Sequence, residues 1–126
     1  MIEKIYTEKA PAAVGPYSQA TKINGIVYTS GQIGLVPETG IIEAADVVGQ
    51  THQVIKNLTA VLEAAGARLG DVVKTTCFLA DIADFASFNS VYEQYFTEKP
   101  ARSCVAVKDL PKGALVEIEA IAVENA

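Results

Sequence analysis

Arg102 and Cys104, two residues apart in Pro100-Ala101-Arg102-Ser103-Cys104-Val105, are the first candidates for chemistry in this sequence. Side chains alternate along a strand, so Arg102 and Cys104 share one face, with Ser103 and Val105 on the other. The planar fork of Arg102 suits bidentate capture of a carboxylate. The same residue also suits a structural ion pair with Glu117 or Glu119, and spacing does not choose between the two. Cys104 is a nucleophile only if a base activates it; its alternative is a small buried thiol. His52, the sole histidine, lies off the apolar stripe of its helix, where a solvated residue is the ordinary expectation. Ser30, beside Gly31 at the end of an extended run, offers a hydroxyl and a backbone amide to an anion, or else serves turn chemistry.

Other chemistries fall early. One histidine excludes a two-histidine metal site within a chain, and Cys77 and Cys104 lack the close spacing of structural zinc ligands, so no metal is expected. Gly31-Gln32-Ile33-Gly34 lacks the third glycine and the lysine of phosphate loops. The net charge is -5 and no run of Lys or Arg occurs, which argues against nucleic acid and anionic membranes as partners. The first residues, Met1-Ile2-Glu3-Lys4-Ile5-Tyr6, carry no apolar signal stretch. Two cysteines make no disulfide framework, and reduced thiols in a cytoplasmic protein are expected.

The elements that must position these groups fit one domain of 126 residues, half of them hydrophobic. Asn24-Gly25 between runs 17–23 and 26–30 predicts a hairpin. Residues 46–65 predict a helix with Val47, Thr51, Val54, Ile55, Leu58, Val61, Leu62 and Ala65 on one stripe, Asp46 as cap and Gly66 as its left-handed end. Residues 72–80 predict a strand, and 84–96 a second helix capped by Asp84, with Phe85, Phe88, Val91, Tyr92, Tyr95 and Phe96 facing inward. Residues 102–107 and 115–123 predict two more strands. The expected class is α+β: a mixed β-sheet with two helices on one face. The last strand carries Val116, Ile118, Ala120 and Ala122 on one face. On the other, Leu115, Glu117, Glu119, Ile121 and Val123 mix carboxylates with large apolar groups, as a subunit interface containing a polar pocket would.

Gly15-Pro16-Tyr17-Ser18-Gln19-Ala20, Tyr28-Thr29-Ser30-Gly31-Gln32, Pro100-Ala101-Arg102-Ser103-Cys104-Val105 and Leu115-Val116-Glu117-Ile118-Glu119-Ala120 together resemble the RidA (YjgF) family over essentially the whole chain. The resemblance implies a homotrimer with a chorismate-mutase-like barrel and ligand clefts between subunits. It implies 2-iminobutanoate/2-iminopropanoate deaminase activity without a cofactor: reactive 2-imino acids and their enamines are hydrolysed to 2-oxo acids and ammonia, protecting pyridoxal-phosphate enzymes. On this resemblance Arg102 pairs with the substrate carboxylate and Glu117 positions and deprotonates water. Gly31 offers its amide, Cys104 lines the pocket with its thiol dispensable, and Tyr17 and Ser30 close the pocket and relay protons. The rivals are a non-catalytic sensor of 2-oxo acids, an endoribonuclease or translation inhibitor, and, by fold analogy alone, a chorismate mutase.

Overall fold

In the computed structural model, residues 1–125 are described. Asn24 and Gly25 both take positive φ, 52° and 77°, as a two-residue hairpin turn requires. They join β2 (Ala20–Ile23) to β3 (Ile26–Thr29), and a short β1 (Glu3–Ile5) pairs antiparallel with β2. The first arm of the hairpin is shorter than the sequence suggests. Gln19 is buried instead of laddered: its side-chain amide donates to the carbonyls of Thr7 and Pro11 and accepts from the Thr7 N–H.

Helix α1 (Val47–Ala64) begins where the Asp46 carboxylate accepts from the Gly49 N–H at 2.8 Å. It ends in a Schellman turn: the Ala67 N–H reaches the Leu62 carbonyl and the Gly66 N–H that of Glu63, with Gly66 at φ 85°. The predicted stripe is the buried one. Strand β4 (Val72–Leu79) leads through a short 3-10 turn (Ile82–Asp84) into α2 (Phe85–Tyr95). Asp84 is the N-cap residue of α2, as expected, but its side chain makes no capping hydrogen bond; the carboxylate that does cap is Asp81, which accepts from the Ala83 N–H at the start of the turn. β5 (Ala101–Ala106) and β6 (Val116–Val123) complete the chain.

The sheet order is β1-β2-β3-β6-β4-β5, antiparallel throughout except for the β4/β5 pair that α2 bridges. Both helices cover one face. Beneath them lie Val116, Ile118, Ala120 and Ala122 of β6 with Thr75, Cys77 and Leu79 of β4, all buried. A bulge at Val73 resets the alternation of β4 so that Val72 also points inward. The opposite face has no cover among the described residues. It presents Tyr28, Thr76, Phe78, Val105, Ile121 and Val123 beside Glu117 and Glu119, with Tyr28 42 % and Val105 46 % exposed. The mixed character expected of β6 is thus shared by its neighbours, and a single subunit leaves it open.

Candidate active site

Four of the predicted residues converge on one pocket of about 600 Å³: Tyr17, Ser30, Gly31 and Glu117, together with Glu119. The backbone explains how. Gln32 exchanges both main-chain hydrogen bonds with Ile118, 2.9 and 3.1 Å, which lays the segment after β3 along the end of β6. Gly31 is then so close to Glu117 that a β-carbon there would collide with its carboxyl group. Glycine leaves the Glu117 carboxyl in place here through close approach and not through its φ. The Ser30 hydroxyl donates to the Ser18 carbonyl at 2.6 Å, and the Ser30 N–H to the Gln19 carbonyl. The bland turn role is therefore real, and the Ser30 oxygen remains an acceptor toward the pocket. Tyr17 is half exposed at the rim. The opposite wall comes from Pro11, Ala12 and Val14, tied down by Gln19, and from the Pro111–Lys112 corner.

Glu117 is half-buried, and its carboxyl is pushed above the ordinary carboxylate value, first by burial and then by the charge of Glu119. Two carboxylates on alternate positions of one strand share this face. Glu117 and its more exposed neighbour Glu119 thus make a negatively charged corner of the pocket.

Arg102 and Cys104 are elsewhere. In the β4/β5 register Arg102 opposes Thr75 and Cys104 opposes Cys77, both on the helix side of the sheet. Glu117 opposes Phe78 on the open side and lies two strands away. Lateral spacing alone separates them by about 10 Å, with the sheet between. The predicted structural ion pair of Arg102 with Glu117 or Glu119 is therefore absent, because strand parity forbids it. Arg102 instead lies under α2, its guanidinium 4.8 Å from the Tyr92 ring centroid, 5.5 Å from Phe85 and 5.9 Å from Phe88. Its Nη1 donates to Asn89 Oδ1 at 2.7 Å. The ion pairs among the described residues, Lys22–Glu124 and Arg68–Asp71, do not include it.

Both thiols are free. Burial pushes Cys77 up to about 12, and burial raises Cys104 too despite the opposing charge of Arg102. Neither is an activated thiolate. His52 is less solvated than its helix position suggests. Its Nδ1 is 2.7 Å from the Tyr95 hydroxyl, at a shallow hollow of about 730 Å³ along the outer side of α1. That larger hollow contains none of the predicted site residues, and size alone does not locate the chemistry. No cluster able to hold a metal ion occurs among the described residues.

Residues 7–124 match the family model described as endoribonuclease L-PSP. The chain belongs to the RidA/YjgF family. A 2-iminobutanoate/2-iminopropanoate deaminase of Salmonella typhimurium is 52 % identical over 129 residues, covering 99 % of this chain and all of the relative. A RutC family protein of Pyrococcus abyssi is 54 % identical over 121 residues, 95 % of each chain. The crystal structure of Escherichia coli TdcF with bound serine superposes with a TM-score of 0.92 at 47 % identity, covering 96 % of this chain and 98 % of that one. RidA membership and the α+β architecture expected from sequence agree.

Two residues that shape this RidA-family site escape the sequence reading. Gln19 was visible only as part of a motif, and its role in tying down residues 7–11 has no periodic signal. Asn89 had one: it stands four residues after Phe85 and three before Tyr92, on the α2 face that meets Arg102.

Proposed function

We propose that this protein is a cytoplasmic 2-iminobutanoate/2-iminopropanoate deaminase that works as a homotrimer with clefts shared between subunits. The observation that carries the reading is the division of the predicted site. Tyr17, Ser30, Gly31 and Glu117 meet in one pocket on the uncovered sheet face, while Arg102, a cation without an ion-pair partner among the described residues, stands on the far side at the β5 edge. A second copy packed on the open face supplies what the first lacks. The deaminase name of relatives at about half identity over the full length supports the chemistry.

Arg102 of one subunit holds the substrate carboxylate beside the C=N carbon and so fixes that carbon for attack. Glu117 of its neighbour takes a proton from water as the oxygen bonds to carbon and the C=N π pair moves to nitrogen, and Glu117 then gives that proton to the nitrogen. In the resulting tetrahedral adduct the hydroxyl passes its proton to Glu117, the C=O bond forms as the C–N bond breaks, and the nitrogen takes that proton and leaves as ammonia. A carboxylate with a raised pKa takes a proton more readily than an ordinary one and can still return it, which suits it to this exchange. The Gly31 amide and the Ser30 oxygen border the reacting group. The thiol of Cys104 takes no part, in keeping with its raised pKa. An endoribonuclease reading, the description attached to the family model, fits less well, because Glu117 and Glu119 repel a phosphodiester.

The test is coupled turnover: threonine dehydratase generates 2-iminobutanoate, and semicarbazide traps what remains. The protein should speed imine loss, and Arg102→Ala should abolish the acceleration while remaining folded. A folded, assembled protein that gives no acceleration overturns the reading in favour of a 2-oxo acid sensor.

A further inference from the structure

We propose that Asn89 is a positioning residue for Arg102, one that aims the guanidinium without neutralising it; this rests on the reading of Arg102 as the carboxylate clamp. A half-buried arginine ordinarily sits against a carboxylate, which satisfies its donors and cancels its charge. Arg102 has neither ion pair nor carboxylate contact among the described residues. It is held by neutral groups instead. Asn89 Oδ1 takes one Nη1 proton at 2.7 Å, and the ring of Tyr92 supports the guanidinium at 4.8 Å, with Phe85 and Phe88 flanking it. Tyr92 is itself fixed, its hydroxyl 2.7 Å from that of Thr75.

Phe85, Phe88, Asn89 and Tyr92 stand at i, i+3, i+4 and i+7 of α2, so one helical face makes the whole cradle. The ring quadrupoles attract the cation, and the asparagine carbonyl fixes its rotation. Of the five N–H donors of a guanidinium, one is used in this way and the positive charge survives intact. An aspartate at position 89 would have nearly the same shape and would hold the fork as well or better, but it would cancel the charge an anionic substrate needs.

The ordering of two variants tests this. Binding of 2-oxobutanoate to the intact assembly is measured by calorimetry for the parent, Asn89→Ala, Asn89→Asp and Arg102→Ala, with folding checked by circular dichroism. Asn89→Ala should weaken binding about tenfold, through lost aim, and Asn89→Asp about a hundredfold, through lost charge. A merely structural asparagine would give the opposite order, because the isosteric aspartate is the gentler change to packing. Asn89→Asp binding as tightly as Asn89→Ala, or both matching the parent while Arg102→Ala loses binding, overturns the role of Asn89 alone. Retained binding in Arg102→Ala overturns the clamp reading itself. As a second measurement, nitrogen NMR of the Arg102 side chain should show separate Nη signals in the parent that merge in Asn89→Ala; separate signals in both would overturn the proposal.

Discussion

Gly31 and Glu117 show how little freedom the pocket has at the scale of single residues. A methyl group at position 31 meets the Glu117 carboxyl, the flexible end of a side chain, so the carboxyl yields and the backbone does not. Gly31→Ala should therefore lower turnover by at least tenfold with little loss of thermal stability, measured by imine turnover beside a melting curve. Glu119 acts on the same group through charge. It helps hold the Glu117 pKa up, and the proposed role of Glu117 as general base needs it deprotonated, so the rate should fall as pH falls through that raised value. Glu119→Gln removes the repulsion, lowers the Glu117 pKa, and should move the acid limb of the pH–rate profile to lower pH with the plateau retained. A limb that stays in place would mean that burial alone sets the value. The identities of these residues were legible in the sequence, but the direction of the pKa shift was not. It depends on which charges share a pocket, and Arg102 lies across the sheet within one subunit.

At the scale of elements, caps and stripes carry the information. The buried face of α1, its Asp46 cap and its Gly66 terminus were all readable from local spacing, because helix ends are satisfied by neighbours in sequence. Asp46→Ala removes an acceptor for the Gly49 N–H and should cost about 1 kcal/mol, seen as a lower denaturant midpoint with unchanged slope. Asp84 stands at the N-cap of α2 as its spacing predicts, but its side chain makes no capping hydrogen bond, because a 3-10 turn, which leaves no periodic mark, precedes the helix and is capped by Asp81. The wall made by residues 11–14 was illegible for a related reason. It is shaped by the buried Gln19 side chain rather than by secondary structure.

At the scale of the molecule, strand parity decides how the site is assembled. Arg102 and Glu117 cannot meet within one chain, so an active cleft built from two chains should be rescued by mixing. Arg102→Ala and Glu117→Gln subunits, each inactive alone, are unfolded together and refolded at equal concentration. Random assortment around a closed ring then pairs an intact Glu117 with an intact Arg102 in roughly a quarter of clefts. Recovery of activity near that fraction is the expected result, and none at all would show that both residues serve one chain. The sequence revealed the mixed polar and apolar face of β6. That Arg102 belongs to the other face follows only from the register of β5 on β4, which spacing along one strand cannot supply.

The placement of β6 also governs how the chain is made. It is the last of the described strands and lies in the sheet interior, between β3 and β4. During synthesis β1-β2-β3 emerges as one ribbon and β4-β5 as another, with no hydrogen bonds joining the two halves until residues 116–123 leave the ribosome. Nascent chains arrested before residue 116 should therefore remain open to protease, and protection should appear abruptly once β6 is free. A growing chain of this kind waits for residues 116–123 to close the sheet from within.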